Sequence, residues 1–365
     1  MARSLKVSLE YIQTIKLAVK RNNYPTQQAL ADDIGLSLST VKSFLNGKPV
    51  DYLNFTELSE KLGLDWQEIA CLETETSQPP DNHNPPIEDN SPFITGAPII
   101  DPKRFFGREK ELKRLFNLLK RHPLQNAAII GKRRMGKTSL LHYLQNITTT
   151  APEKLRPEQK SAWLPNPENY RWVYVDFQDP RKQCRKGLLS YILTSLGFKI
   201  PERLEIDFFV ETMSNNLHFP TVILLDEIGV GLQRCPELDD EFWESLRSLC
   251  TNYSNGNLAF ILATQESPLD LAQNTGHTSP FFNIFGYTAT ISAFTEAEAR
   301  ELIASSPITF PEADIEWILQ ESKCVPLLVQ ILCRERLFSL EEPEFADNWR
   351  EEGLIQIEQF RFLLA

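Results

Sequence analysis

Apolar runs of strand length alternate with helical patterns from Ser91 to the end of the chain. Several of these runs are continuous, such as VILLD and AFILA, which is typical of strands covered by helices on both faces. Five runs are predicted to be strands, at residues 126–130, 172–177, 221–226, 258–264 and 287–291. The alternation predicts an α/β fold built on a five-stranded parallel sheet.

Helical patterns dominate after the last predicted strand. Thr295 and Glu298 have the spacing of a capping box, which predicts that a helix begins there. Pro326 is predicted to begin another helix, because proline suits the first helical turn, where its missing N–H is not needed. These signals predict a helical lid and further C-terminal helices over residues 293–365.

The N-terminal part of the chain has a different organisation. Residues 1–72 alternate short helical patterns with turn signals, which predicts a separate all-α domain. Residues 73–91 are rich in Pro, Asp and Asn and almost free of large apolar side chains, so they cannot bury a core. We therefore predict a linker at 73–91 and an α/β core at 92–292, before the helical lid.

The bulk composition is that of an ordinary globular protein, with 42% hydrophobic and 24% charged residues among 365. The net charge of −11 argues against a protein that coats nucleic acid indiscriminately, so any such contact needs a local basic patch. The six cysteines lack the spacing of metal ligands, and we expect them to be reduced. No apolar run approaches the roughly 18 residues of a membrane span, so we expect a cytoplasmic protein without a membrane partner.

Residues 131–138 read GKRRMGKT, which fits the phosphate-binding pattern G-x-x-x-x-G-K-[ST] between a predicted strand and a predicted helix. The glycines let the backbone approach phosphates, and the loop amides and helix N-terminus stabilise negative charge. Lys137 is expected to reach the β- and γ-phosphates, and Thr138 to bind Mg²⁺. The alternative, an accidental match in a glycine-containing loop, is disfavoured by this strand–loop–helix context. The predicted phosphate-binding residues are Gly131, Lys132, Arg133, Arg134, Met135, Gly136, Lys137, Thr138 and Ser139.

A second predicted strand ends in the carboxylates Asp226 and Glu227. Asp226 is expected to hold Mg²⁺ through water, and Glu227 to polarise the attacking water as general base. The alternative is a solvated acidic turn. A glutamate beside the aspartate favours ATP over GTP, and the chain has no N-K-x-D motif for guanine. Thr264, at the end of the next strand, is a candidate sensor of the γ-phosphate or an ordinary polar strand end.

The chain has no Lys or Arg between Arg247 and Arg300, and His277 is the one histidine there. Ring-forming AAA+ ATPases usually supply an arginine finger from this region, and such a finger raises turnover by orders of magnitude. The gap therefore favours a slow nucleotide-controlled switch over a fast ring motor. Arg247, Arg334 and Arg336 remain alternative sources of a cation for the phosphate.

The stretches PFITGAP at 92–98 and FFGREKEL at 105–112 resemble the N-terminal signature of AAA-like ATPases of the STAND type, which are signal-transduction NTPases and often bacterial. The resemblance implies an AAA-like P-loop fold of the ASCE division. It also implies that the backbone at Phe106 and Gly107 lines the adenine pocket and that Arg108 lies near the nucleotide. The lid motif of the family places a proline near the base, here Pro326, but its usual glycine is replaced by Cys324.

Two short helical patterns, at residues 26–35 and 36–47, meet at Gly35 and resemble a helix-turn-helix domain of the repressor type. The resemblance implies that the second helix is a recognition helix in the major groove of DNA. Residues 1–48 carry seven basic and three acidic groups, a modest local excess of positive charge. The alternative is a small helical bundle that docks a protein partner. The residues expected to face DNA are Gln27, Gln28, Ser39, Thr40, Lys42 and Ser43.

These features lead to a hypothesis of a switch that binds ATP with Mg²⁺ and hydrolyses it slowly to ADP. ATP binding would rearrange the lid and change the exposure or self-association of the N-terminal domain, whose output is DNA binding or recruitment of a protein partner. One alternative is a DNA-loading or transposition-type AAA+ ATPase that assembles on duplex DNA, although the chain end at 337–365 is acidic rather than basic. Another is an adaptor that binds nucleotide without hydrolysing it.

Overall fold

The chain packs as two units, Met1–Ile87 and Glu88–Ala365. The computed structural model describes residues 4–8, 11–22, 24, 26–34, 36, 38–48, 50–64, 66–70, 91–341 and 348–364. Gly35 and the predicted linker, apart from Ser91, lie outside the described residues. The boundary between the two units falls within the predicted linker at 73–91.

The described part of the N-terminal unit contains helices and one short antiparallel pair of strands. In chain order its elements are β1 (Ser4–Leu5), α1 (Ile12–Arg21), α2 (Gln27–Ile34), α3 (Leu38–Leu45), β2 (Val50–Asp51), α4 (Tyr52–Lys61) and α5 (Trp66–Ile69). Helices α2 and α3 occupy the two segments in which helical patterns were recognised. The strand pair departs from the all-α expectation, because two-residue strands are too short to show a hydrophobic alternation.

Aromatic and aliphatic side chains hold the N-terminal helices together. Leu30, Phe44 and Phe55 are fully buried, and the rings of Phe44 and Phe55 meet edge to face at 5.1 Å, which joins α3 to α4. Helix α2 begins after Thr26, whose hydroxyl accepts a hydrogen bond of 3.1 Å from the amide of Ala29. The assignment of α2 and α3 as a DNA-binding helix-turn-helix stays a prediction.

The second unit is built on a five-stranded sheet in which each pair of neighbouring strands is parallel. The strands are β3 (Ala127–Ile130), β4 (Arg171–Asp176), β5 (Thr221–Asp226), β6 (Leu258–Thr264) and β7 (Tyr287–Thr290), in the order β4-β5-β6-β3-β7. The five predicted strands are confirmed, and their bounds shift by one residue at most. The α/β class with a parallel sheet is therefore correct.

Helices cover both faces of this sheet, which explains why the central strands are continuous apolar runs. Along β5, Val222 and Leu224 pack into one core, whereas Ile223 and Leu225 pack into the core on the opposite face. The helices that follow or precede these strands are α6 (Glu109–Leu119), α7 (Lys137–Asn146), α8 (Arg185–Ser195), α9 (Ile206–Asn216), α10 (Ile228–Arg234), α11 (Asp240–Ser248) and α12 (Pro268–Thr275).

A helical lid follows β7, with α13 (Glu296–Ala304), α14 (Glu312–Ser322), α15 (Pro326–Glu341) and α16 (Trp349–Glu358). The predicted capping box is confirmed at α13, where Thr295 and Glu298 exchange side chain-to-backbone hydrogen bonds. Pro326 is the first residue of α15, as predicted. Both signals are local in sequence, so neighbouring structure does not override them.

The buried carboxylate of Asp314 ties the lid helices together. It forms ion pairs with Arg336 of α15 at 2.8 Å and with Arg350 of α16 at 2.7 Å, which compensate the cost of burying the charge. All cysteines in the described ranges are free: Cys184, Cys235, Cys250, Cys324 and Cys333. Within the same ranges, no helix is long and apolar enough to cross a membrane, and no cluster of three or more His, Cys, Asp or Glu side chains could hold a metal ion.

Candidate nucleotide-binding site

A cavity of about 500 Å³ opens at the edge of the sheet where β3, β4 and β5 end. Its lining comes from separate parts of the second unit: residues 94–99, 104–106 and 108, the loop before α7, the ends of β4 and β5, and the start of α15. Ligand sites in parallel α/β folds lie at the carboxyl ends of the strands, because the loops that follow the strands converge there. This cavity is therefore the natural candidate for a ligand site.

The loop between β3 and α7 forms one wall of the cavity and needs glycine at its two ends. Gly136 has φ +89°, a left-handed conformation that side chains rarely adopt. A Cβ atom at Gly131 would lie 2.8 Å from the carbonyl oxygen of Ile291, closer than packing allows. The amide of Gly131 donates to the carbonyl of Thr264 at 3.2 Å, which ties the start of the loop to β6.

Lys137, the first residue of α7, is buried and folds back over its own loop. Its Nζ donates hydrogen bonds to the carbonyls of Gly131 at 2.8 Å and Lys132 at 3.1 Å. Burial lowers the pKa of Lys137, while the charges of Glu227 and Asp226 oppose that shift. The ammonium group is thus already held at the phosphate-binding loop, where it interacts with the charges of Asp226 and Glu227.

The acidic pair occupies the end of β5, beside that loop. Asp226 is buried, and its carboxylate accepts hydrogen bonds from the Tyr174 hydroxyl at 2.8 Å and from the Glu227 amide at 3.0 Å. Burial raises the pKa of Asp226, and hydrogen bonds from Tyr174 and Thr138 act in the opposite direction. The carboxylate therefore lies within reach of the hydroxyl that is predicted to share Mg²⁺ with it.

Glu227 has φ +52° and precedes α10, so its side chain leaves the sheet at a strained turn. Glu227 lines the cavity together with Arg133. Burial, followed by the negative charge of Asp226, raises the pKa of Glu227, while Lys137 and Arg133 lower it. A carboxylate with a raised pKa is a stronger base, which suits the role predicted for this residue.

The neighbouring strand β4 adds side chains that the sequence reading missed. Tyr174 and Asp176 line the cavity, and Asp176 is the register partner of Asp226. The ring of His142, from α7, packs on Tyr174 with centroids 4.4 Å apart, and burial lowers the pKa of His142. The signal was present in the chain, because Tyr174 and Asp176 are two apart on a strand and share one face.

Phe106 and Arg108 line the cavity, and Gly107 lies between them with φ +68°. The adenine pocket that the family resemblance implies at Phe106 and Gly107 stays a prediction. The Arg108 guanidinium, however, donates to the carbonyls of Ser292 and Met135 and lies 4.9 Å above the ring of Phe294. Arg108 therefore links the phosphate loop to the segment before the lid. Its position near a nucleotide stays a prediction.

The lid closes the cavity through the start of α15, where Pro326, Leu327 and Gln330 contribute to the lining. The side-chain oxygen of Gln330 accepts a hydrogen bond of 2.9 Å from the amide of Ile94. The amide of Ile99, at the other end of that segment, donates to Ser139 of α7 at 3.0 Å. Residues 94–99 are thus held between the lid and the helix of the phosphate loop.

Other predicted residues lie away from the cavity lining. Thr264 is buried at the end of β6 and is not among the lining residues, although its carbonyl contacts the loop. Nδ1 of His277 and a carboxylate oxygen of Asp240 form a hydrogen bond of 3.0 Å. Arg334 donates to Thr95, and Arg336 is paired with Asp314 in the lid.

The residues expected to face DNA belong to the N-terminal unit. Gln27 and Gln28 are exposed in the first turn of α2, Lys42 is exposed on α3, and Thr40 and Ser43 on the same helix are half-buried. Ser39 lies within α3. The structure brings these residues onto the two helices for which they were predicted, and their contact with DNA stays a prediction.

Comparisons with known proteins agree with the fold. Residues 102–264 match the family model described as "Bacterial TniB protein", which spans less than half of the chain. A search of curated proteins gave no match.

Solved structures align over most of the chain. An ORC2 protein of Aeropyrum pernix in ADPNP-ADP complexes aligns with a TM-score of 0.53 at 15% identity, covering 73% of this chain and 72% of that one. The Walker-type ATPase PABY2304 of Pyrococcus abyssi aligns with a TM-score of 0.51 at 17% identity, covering 73% of this chain and 76% of that one. Cdc6p from Pyrobaculum aerophilum aligns with a TM-score of 0.50 at 18% identity, covering 73% of this chain and 71% of that one. The second unit therefore has the fold of the AAA+/P-loop ATPases.

Proposed function

We propose that this protein is an ATP-controlled switch that hydrolyses ATP slowly and regulates the output of its N-terminal unit. The observation that carries the proposal is the convergence of the GKRRMGKT loop, Asp226 and Glu227 on one cavity that the lid helix α15 closes. The loop and the acidic pair come from two distant segments of the chain and match the groups that phosphoryl transfer needs. A loop that resembles a phosphate site by accident would not bring the acidic pair to the same cavity.

The residues around the cavity fit ATP with Mg²⁺. The loop amides and Lys137 would hold the phosphates, and Thr138 with Asp226 would hold the cation, which supplies charge neutralisation during transfer. Asp226 suits that role because it is a buried carboxylate whose hydrogen bonds to Tyr174 and Glu227 fix its orientation. Glu227 would orient water and accept its proton, and the apolar lining near Phe106 would receive the base.

Slow hydrolysis is inferred from the contacts that the cationic side chains of the second unit already make. His277, the one histidine in the gap without Lys or Arg, is bound to Asp240, and Arg336 is bound to Asp314. The arginines of this chain that line the cavity are Arg104, Arg108, Arg133 and Arg134. The absence of Lys and Arg between Arg247 and Arg300, together with the pairing of His277 and Arg336 to carboxylates, supports slow turnover in this proposal.

The lid provides a route from the nucleotide to the N-terminal unit. Helix α15 contacts residues 94–99 through Gln330 and Arg334, and this segment comes directly after the predicted linker at 73–91. A nucleotide-dependent change at Pro326, the start of α15, would therefore act on the point where the linker enters the core. Regulation of the N-terminal unit, in the manner of STAND-type ATPases, follows from this connection.

The switch is tested by identifying the nucleotide bound to the purified protein and by measuring native mass in ADP and in a non-hydrolysable ATP analogue. We expect tightly held ADP after purification and a change of assembly state with the analogue, because the lid responds to the γ-phosphate. The same mass in both nucleotides, together with rapid exchange of ADP, would contradict a switch.

A second candidate is a DNA-loading or transposition-type ATPase that assembles on duplex DNA. It is supported by the match of residues 102–264 to the TniB family model and by the likeness of the fold to an ORC2 protein. The two candidates differ in where DNA is bound. The switch binds DNA, if DNA is its output, through the helix-turn-helix of residues 1–72, whereas the loader binds it through the ATPase unit.

Deleting residues 1–72 therefore separates the candidates. For the switch we expect the deletion to abolish DNA binding, and we expect Lys42→Ala to reduce the slope of log affinity against log salt by about 1. The measurement is fluorescence anisotropy of a labelled duplex at several salt concentrations. ATP-dependent filaments formed on DNA by the deleted protein, seen by electron microscopy, would instead establish the loader.

A further inference from the structure

Arg156 makes an unusual set of contacts beside the apolar part of the cavity. It lies in the connection between α7 and β4, and its side chain is only 14% exposed. The guanidinium group lies 3.9 Å above the ring of Phe106, which lines the cavity. The same group donates hydrogen bonds to the carbonyls of Phe105, at 3.0 Å, and Lys103. A single side chain therefore holds both the ring and the backbone of this segment.

The other edge of the guanidinium reaches the lid. Nη2 of Arg156 lies 3.1 Å from Oε1 of Glu301 on α13, and Nε lies 3.0 Å from Glu158 in its own loop. Leu302, the neighbour of Glu301, lines the cavity. The contact between Arg156 and Glu301 thus joins the lid helix to the segment that carries Phe106.

The loop around Arg156 is itself fixed to that segment. The amide of Arg156 donates to the side chain of Gln159 at 2.9 Å, and Gln159 donates to the carbonyl of Pro102 at 2.7 Å. Phe105 stacks on Tyr143 of α7 with centroids 4.3 Å apart. Several independent contacts therefore fix this segment, and they hold the ring of Phe106 in one orientation.

We propose that Arg156 is a positioning residue for the nucleoside part of the ligand: it fixes Phe106 at the cavity and connects that wall to the lid through Glu301. The inference rests on the proposed function, because it assigns the apolar lining to the base. The planar guanidinium is required, since it stacks on a ring and forms a fork of hydrogen bonds at the same time. An ammonium group has neither the plane nor the fixed fork of donors.

The test compares ATP with inorganic tripolyphosphate, which carries the phosphates without a nucleoside. In Arg156→Ala we expect the Kd for ATP to rise about tenfold, because Phe106 and the segment that carries it must then be ordered when ATP binds. The Kd for tripolyphosphate is expected to stay unchanged, because Lys137 and the loop amides are untouched. Isothermal titration calorimetry measures both affinities.

Two further variants separate positioning from simple damage to the fold. Arg156→Lys is expected to behave like Arg156→Ala towards ATP, because it keeps the charge but loses the stacked plane. Arg203→Ala removes an arginine that pairs with Glu205 on the exposed surface, and it should leave both affinities unchanged. An equal loss of affinity for ATP and tripolyphosphate in Arg156→Ala would overturn the inference, as would an unchanged affinity for ATP.

The connection to the lid has its own readout. If Arg156 acts through Glu301, the double variant of Arg156→Ala with Glu301→Ala should bind ATP no more weakly than Arg156→Ala alone. Independent, additive losses would contradict this part of the inference. A wild-type protein that binds neither ATP nor tripolyphosphate would instead overturn the proposed function. Failure of the inference about Arg156 can therefore be distinguished from failure of the proposed function.

Discussion

Lys137→Ala is expected to weaken ATP binding by about a hundredfold, and with it the nucleotide-dependent change of assembly. A charge-assisted hydrogen bond contributes about 1.5–3 kcal/mol, and a hundredfold change in affinity corresponds to about 2.8 kcal/mol, so the net loss of one or two such bonds to phosphate has an effect of this size. The Nζ atom already lies 2.8 Å from the Gly131 carbonyl, so the group is oriented before the ligand arrives. Calorimetry with ATP, and native mass in both nucleotides, measure the two effects.

The folded state gives this variant an internal control. Burial lowers the pKa of Lys137, while its Nζ atom donates two hydrogen bonds to carbonyls of the loop. The melting temperature of the variant without nucleotide is therefore measured as well, which separates loss of ATP binding from loss of the fold. Lys113→Ala, on the exposed face of α6, is the matched control and should retain normal ATP affinity. If Lys137→Ala kept both its ATP affinity and its assembly behaviour, the switch hypothesis would be wrong.

The fold of the second unit was predictable because its strands are buried on both faces. Every residue of β5 and β6 is buried, which forces continuous apolar runs, and polar turns set their limits. The helix starts at Thr295 and Pro326 were predictable because capping depends on neighbouring residues only. The strand pair β1–β2 was not predictable, because a strand of two residues is too short to show an alternation of apolar and polar side chains.

The residues of the candidate site also differ in whether local sequence reveals them. The loop at 131–138 and the pair Asp226–Glu227 are contiguous motifs, so the chain itself displays them. Tyr174 contacts Asp226 across 52 positions of sequence, through strand register that a pattern does not encode. Arg156 could not be predicted as a site residue, because it belongs to no motif and its loop has the periodicity of neither a strand nor a helix.

Arg108 has contacts within the protein in addition to the position near the nucleotide that the family resemblance implies. It lines the cavity, as a residue near a nucleotide would. Its amide donates to Glu298 at 2.6 Å and its guanidinium donates to the carbonyls of Ser292 and Met135. Glu298 also caps α13, so the same carboxylate sets the start of the lid and its attachment to the core. This shared use couples lid position to the phosphate loop.

Glu227→Gln is expected to reduce the hydrolysis rate by about 10²–10⁴-fold, the range contributed by a general base, while ATP affinity stays within about threefold of wild type. The amide keeps the size of the side chain but cannot accept the proton of the attacking water. The variant should therefore hold ATP and remain in the ATP-bound assembly state, where the wild type returns to the ADP state. Phosphate release and native mass over time measure the two effects.

The pH dependence of the wild type follows from the same group. Burial and the charge of Asp226 raise the pKa of Glu227, so the carboxylate is protonated, and hydrolysis falls, at a higher pH than for an exposed glutamate. Glu244→Gln, on the exposed face of α11, is the matched control and should hydrolyse ATP normally. Wild-type turnover by Glu227→Gln would remove this residue from the mechanism. A wild-type protein that binds ATP but releases no phosphate would be an adaptor, because the lid would then respond to nucleotide exchange alone.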